Sequence, residues 1–297
     1  MPATGKVSIA IIGGGGIGSA VAYQLANAGH TVTIVARPGS ARLAQLERDG
    51  AVVLASGEQA KVGTASSLTP RDNIDLVLVT VQAHQLGPVL PYLQTAAAQS
   101  ILFLTNNWNP QAVRDTIGPR AEFGMPFIQA SLDKDGQLTF NLGYQKSFLS
   151  SQQWVDVFSS AGIPALLEPD MPHWLRCHAP ICVAFEGASA AAVRRNSGAS
   201  WAEAMVYARG VHAAFALLEK QGVELYPWGK VWINRAAPHA FASVLWGMTK
   251  AKSVRDLLSL GVSECRAIVG EMLKSAAEAG LDEGKVKAIE RMAPADT

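Results

Sequence analysis

The feature that most restricts what this chain can fold into is a glycine turn set between two hydrophobic patterns near its start. Residues 7–12 form a short apolar run with Val7, Ile9, Ile11 and Ile12, the make-up of a strand buried on both faces. Gly13, Gly15 and Gly18 follow as G-x-G-x-x-G, and Ile17, Val21, Leu25 and Ala28 then recur at helical spacing until Gly29. Residues 31–35 alternate as a second strand. Strand, glycine turn, helix and strand within about thirty residues predict a βαβ unit that binds a dinucleotide. Gly13 permits the tight turn, Gly15 lets pyrophosphate approach the backbone, and Gly18 lets helix and strand pack closely. Gly16 and Ile17 open the helix, whose first N–H groups and positive dipole end suit phosphate.

The end of the second strand selects the cofactor. NAD and FAD proteins usually carry an acid there for the ribose hydroxyls, whereas this chain has Ala36 and Arg37. A guanidinium suits a 2′-phosphate, so the expected cofactor is NADP, with Arg42 placed to assist from the next helix. The plainer alternative for Arg37 is a solvated loop arginine.

The strand and helix alternation continues. A short helix at 41–48 is followed by edge strands at 51–55 and near Lys61, a buried strand IDLVLVTV at 74–81, a helix around 85–98 and a strand ILFLT at 101–105. This order predicts an α/β fold, a doubly wound parallel sheet of Rossmann type, joined to an all-helical C-terminal domain. A hairpin at 127–141 turning at Asp133 to Gly136, a helix at 151–161 and a strand at 163–167 complete the first part. The break Glu168-Pro169-Asp170-Met171-Pro172 divides a nucleotide-binding domain, 1–168, from a helical substrate and dimerisation domain, 169–297. Helices are expected at 201–222, 254–260 and 264–279, with 225–239 as an interrupting loop.

At 297 residues, 49% hydrophobic and 16% charged, the chain can bury a sizeable core, and a net charge of +1 argues against nucleic acid or an anionic membrane as partner. Cys177, Cys182 and Cys265 are odd in number and lack C-x-x-C spacing, which suggests neither a disulfide framework nor a zinc site and fits a reduced cytoplasm. No window reaches the roughly 18 continuous apolar residues of a membrane span.

These residues, with DLVLVTVQA at 75–83 and the helix beginning near Trp174, resemble the ketopantoate reductase family. The resemblance implies an N-terminal Rossmann domain, a helical C-terminal domain, NADPH-dependent reduction of a 2-keto acid in the cleft between the two domains, and a homodimer. Position by position, Gly13, Gly15, Gly18 and Arg37 match its cofactor fingerprint. Gln82 stands where the family usually has a lysine, and Asn106 in Thr105-Asn106-Asn107 retains the asparagine of its H-N-G segment. The catalytic lysine of W-x-K aligns with Arg176, the two asparagines that follow with Pro180 and Ala184, and the C-terminal acid with Glu264.

The substitutions have chemical consequences. Carbonyl reduction needs a hydride and a proton or strong polarisation at the developing alkoxide. Arginine, with a pKa above roughly 12, polarises or clamps but donates a proton poorly. Ketopantoate is therefore a doubtful substrate, and a small 2-keto acid-like carbonyl compound is expected instead. Arg176, Asn106 and Glu264 are the candidate catalytic residues; Gly13, Gly15, Gly16, Ile17, Gly18, Arg37, Gln82 and Asn106 are the candidate cofactor ligands. His178, two residues from Arg176, should point nearly the opposite way on a helix. Trp108 can flank the nicotinamide or simply pack; Trp228, Trp232 and Trp246 are expected in the core, with a pocket lining or a subunit contact as the alternative. An inactive NADP-binding sensor or interaction protein, and a dehydrogenase working on an imine or hydroxy acid, are the alternatives.

Overall fold

The computed structural model describes residues 5–69, 73–143 and 145–295. The chain runs β1 (Ser8–Ile12), α1 (Gly16–Asn27), β2 (Thr31–Val35), α2 (Ala41–Asp49), β3 (Ala51–Val53), β4 (Gln59–Lys61), β5 (Gly63–Ala65), β6 (Ile74–Val79), α3 (Leu90–Thr95), β7 (Ala98–Leu104), α4 (Pro110–Ile117) and β8 (Ala121–Met125). It continues through β9 (Gln129–Leu132), β10 (Leu138–Asn141), β11 (Ser147–Leu149), α5 (Gln152–Ser160) and β12 (Ala165–Leu167). Seven helices follow: α6 (Met171–Arg194), α7 (Trp201–Lys220), α8 (Trp228–Arg235), α9 (Pro238–Met248), α10 (Lys252–Leu258), α11 (Val262–Glu278) and α12 (Glu283–Glu290).

Eight strands make one sheet in the order β12-β11-β8-β7-β6-β1-β2-β5. All neighbours from β5 to β8 pair in parallel, and only the β8–β11 pair is antiparallel. The strand order reverses between β1 and β6, where a doubly wound sheet opens its ligand crevice. The apolar strands are explained by burial on both faces: Ile9, Ile11, Leu76, Leu78, Ile101 and Leu102 are each at most 1% exposed.

The expected edge strands at 51–55 and near Lys61 instead form a separate antiparallel pair, β3 with β4, and the sheet edge beside β2 is taken by β5. The expected helix at 85–98 contracts to α3, preceded by a short 3-10 turn, because Ala98 already pairs with Ile74 in the sheet. The expected loop at 225–239 holds α8. The hairpin at 127–141 is present as β9 and β10, with Gly136 at φ 81° closing its turn.

The chain divides into two compact units, one of residues 1–105 and 111–171, the other of residues 106–110 and 172–297. The second is wholly helical in its regular structure, built around Val211, Phe215, Leu218, Ile268 and Met272. Its first helix, α6, runs unbroken through Pro180 for 24 residues. Among the described residues no helix is long and apolar enough to cross a membrane, and no cluster of side chains could hold a metal ion.

Candidate functional site

Within the first unit the glycine turn joins β1 to α1. Gly13 has φ 109°, and a Cβ there would stand 2.8 Å from Thr80 Oγ1. A Cβ on Gly18 would lie 2.0 Å from the Gly13 carbonyl oxygen, so only glycine lets the helix come this close. Gly15, the residue capping α1, has open space where a side chain would be. The N-terminus of α1 carries no side-chain cap and no acid in its first turn, whereas Ser40, Ser200 and Asp282 cap α2, α7 and α12. An uncapped helix start behind an open glycine is suited to receive an anion.

Two of the expected cofactor positions serve packing with their side-chain direction. A Cβ on Gly16 would lie 2.5 Å from the Ala130 carbonyl oxygen in β9, and Ile17 packs on the apolar core under the sheet. What they offer a ligand is backbone N–H alone. Thr80 was not singled out by sequence. It follows β6 directly, its N–H donates to Ile12 O at 2.9 Å and its hydroxyl to Gly13 O at 2.8 Å, locking the turn to the strand next to β1. The only sequence signal was a threonine ending an apolar strand.

Arg37 is exposed, two residues beyond β2, and its side chain makes no hydrogen bond or ion pair with the described residues. Arg42 is placed differently from expectation. Its Nε donates to Gly14 O at 2.8 Å, Nη1 to Gly136 O at 3.0 Å and to Gln45, and Nη2 to Ser19 Oγ at 2.6 Å. Burial pulls its pKa down, partly offset by Asp49. It pins the glycine turn to the hairpin, and its fork is occupied by the protein itself. Gln82 begins the 3-10 turn after β6, its N–H donating to Gln85 Oε1 at 3.3 Å and its carbonyl accepting from Gln85 N at 2.8 Å.

The second unit holds the other candidates. Asn106 is buried at 6% exposure, and Asn107 closes a turn by accepting from Asn109 N–H at 2.8 Å. Trp108 is 2% exposed and its Nε1 donates to Ser275 Oγ at 2.9 Å, so it packs into the helical core. Arg176 lies 5.6 Å from the centre of that indole ring and donates through Nη2 to Gln221 Oε1 at 2.6 Å. Burial lowers its pKa, yet a guanidinium remains charged. Arg176 and Trp108 are thus brought together, with Asn106 two residues before Trp108 in the chain.

Glu264 opens α11, in its first turn. Its charge is felt by Cys182 and Glu186, on the stripe Trp174, His178, Cys182 and Glu186, whose members are one helical turn apart. His178 lies against the Trp174 ring at 4.2 Å between centroids, and Lys230, 5% exposed, sits 4.0 Å over the same ring while donating to Trp174 O at 3.0 Å. Burial first, then the Lys230 charge, lowers the His178 pKa to about 3. Glu186 is pushed up to about 7 by burial and by Glu264, against a hydrogen bond from Cys265 Sγ at 3.2 Å. Sequence comparison pointed to the stripe 176, 180, 184; the polar stripe is the neighbouring one. All three cysteines are buried and none is in a disulfide.

Trp228, Trp232 and Trp246 are 77%, 49% and 38% exposed, contrary to the expectation of core packing. Aromatic content alone carries no directional signal, and the first two occupy the solvent side of α8.

The fold and glycine site define a Rossmann-type dinucleotide-binding protein with a helical C-terminal unit. Residues 9–150 match the family model described as ketopantoate reductase PanE/ApbA. A 100-residue stretch is 34% identical to 2-dehydropantoate 2-reductase of Bacillus subtilis (strain 168), covering 34% of this chain and 33% of that protein, so the match spans about a third of the relative's length. The whole fold is similar to the PanE/ApbA family ketopantoate reductase of Ralstonia eutropha JMP134, with a TM-score of 0.73, 20% identity and coverage of 96% and 95% of the two chains. It is also similar to a D-mandelate dehydrogenase in complex with NADH and anilino(oxo)acetate, with a TM-score of 0.72, 17% identity and 96% of each chain covered.

Proposed function

We propose that this protein is an NADP-dependent oxidoreductase that reduces a small carbonyl compound of 2-keto acid type. The observation that carries the reading is the uncapped start of α1 behind an open Gly15, with exposed Arg37 and no acid after β2. Gly13, Gly15, Gly18 and the first N–H groups of α1 fit a pyrophosphate, and Arg37 fits a 2′-phosphate. When bound, the cofactor supplies hydride chemistry at the nicotinamide ring. Arg176 supplies a fixed positive charge able to hold a carboxylate or polarise a carbonyl, and Asn106 an amide for its polar end. Neither Arg176 nor His178 releases a proton usefully near neutrality, the first because it stays charged and the second because it is already neutral. Glu186 on α6 keeps its proton up to about pH 7 through burial and through Glu264, but it lies about 15 Å of helix beyond Arg176, out of hydrogen-bonding reach of a carbonyl held there.

Calorimetric titration with NADPH and NADH tests the cofactor half of this reading. NADPH should bind at least about tenfold more tightly, the worth of one charge-assisted contact to the 2′-phosphate, and Arg37→Ala should erase the difference. Equal affinities would reject it. A steady-state screen of 2-keto acids with NADPH tests the chemistry, with turnover expected to fall sharply in Arg176→Ala. Tight NADPH binding with no oxidation by any carbonyl compound would favour the sensor alternative.

A further inference from the structure

A cavity of about 500 Å3 in the helical unit lies between the turn after α6 and the end of α9 and has no part in the reaction proposed above. Its walls are brought together by specific bonds. Asn196, at φ 50°, reverses the chain after α6, with Asn196 N–H donating to Val193 O and Ser197 N–H to Ala192 O. Thr249, fully buried, accepts from Ala199 N–H at 3.1 Å and donates to Trp246 O at 3.1 Å, tying that turn to the end of α9. A Cβ on Gly198 would meet Lys250 Cγ at 3.0 Å, a measure of how closely the two segments approach.

Three cations from three segments line this cavity: Arg195, Lys250 and Arg255. Lys250 Nζ sits 3.5 Å over the ring of Trp246, which is 38% exposed. Arg255 is 91% buried by the complement of its 9% exposure, and its one hydrogen bond to described residues runs from Nη1 to Lys250 O at 3.2 Å. Nε and Nη2 of this guanidinium keep contact with solvent and make no hydrogen bond to the described residues, so both are open to a ligand in the cavity. Among the described residues no carboxylate lines the cavity; an acid beside it, Glu203, accepts from Ser200 N–H and hydroxyl at 2.7 Å each and lies 3.8 Å from Arg195. A buried cation is ordinarily neutralised by a countercharge, and here three positive charges face one acid that is already engaged.

We propose that this cavity binds a phosphate-type oxyanion, gripped by the guanidinium groups of Arg195 and Arg255 and the Lys250 ammonium. Two guanidinium forks and an ammonium match a multivalent oxyanion better than a single carboxylate, and the Trp246 ring gives an apolar wall for whatever carries it. The test is calorimetric titration of the full chain with pyrophosphate at constant ionic strength, with and without NADPH. Saturable binding that persists with NADPH present and weakens at least about tenfold in Lys250→Glu and in Arg195→Ala is expected. Both residues are exposed, so the test does not depend on replacing buried Arg255, and unchanged thermal melting of the variants confirms their folding. Absence of saturable binding, equal affinity in the variants, or binding that NADPH abolishes would overturn the proposal, the last because the anion would then belong to the glycine turn.

Discussion

At the scale of single residues, the nucleotide-binding turn is determined by contacts that admit no side chain. Gly18→Ala would place a methyl group 2.0 Å from Gly13 O, so helix α1 must shift off the strand. We expect this variant to lose at least about 2 kcal/mol in urea unfolding, within the range of overpacked sites, and to lose NADPH binding with it. A melt equal to that of the unaltered chain would contradict the close approach. Arg42 and Arg37 make the opposite contrast: both are arginines near the same turn, one consumed by Gly14, Ser19 and Gly136, the other exposed. Charge and proximity in sequence were legible; which guanidinium had spare donors was not, because that depends on a hairpin 94 residues away.

Among elements, α2 and the β9–β10 hairpin are coupled through Arg42. Arg42→Met keeps the aliphatic stem but leaves Gly14 O and Gly136 O without this donor, and should cost about 2 kcal/mol of stability by chemical denaturation. An unaffected midpoint would show that the fork adds nothing. Helix α7 begins with a reciprocal capping box, Ser200 with Glu203. Ser200→Ala should cost about 1 kcal/mol, measured the same way. The glycine turn, α1, β2, the hairpin, α5 and α7 were readable from periodicity and turn residues. Strand β11, three residues long, and β5 at the sheet edge were not, since so short a run has no period of its own and exists only through its neighbours.

For the molecule as a whole, two buried groups on α6 set opposing pH dependences. Glu186 holds its proton more tightly when folded, about 7 against an ordinary 4.5, so the stability it contributes is complete below pH 4.5 and is lost as pH rises to 7. His178 is shifted the other way, from 6.5 to about 3, so its contribution is complete above pH 6.5 and is lost as pH falls toward 3. In Glu186→Gln the first limb disappears, and the variant should gain on the unaltered chain between pH 5 and 7 by on the order of 3 kcal/mol. Urea denaturation at several pH values measures this; parallel curves for the two proteins would remove Glu186 from the account. Glu186 feels the charge of Glu264 and accepts from the Cys265 thiol, while the Cys182 and Cys265 thiols are themselves raised by burial and by Glu186; Glu264 and both thiols stay in place in that variant.

From the sequence alone came the βαβ unit, the doubly wound sheet, the helical second part and the pattern of glycines behind them, because local periodicity and the steric demands of a tight turn are written in neighbouring residues. The tertiary structure alone decided which face of α6 is polar, that Lys230 from α8 reaches Trp174, that Glu264 faces Glu186, and that Arg255 is buried beside Lys250. Each of these joins residues distant along the chain, and the desolvation that shifts their chemistry arises only when the elements pack.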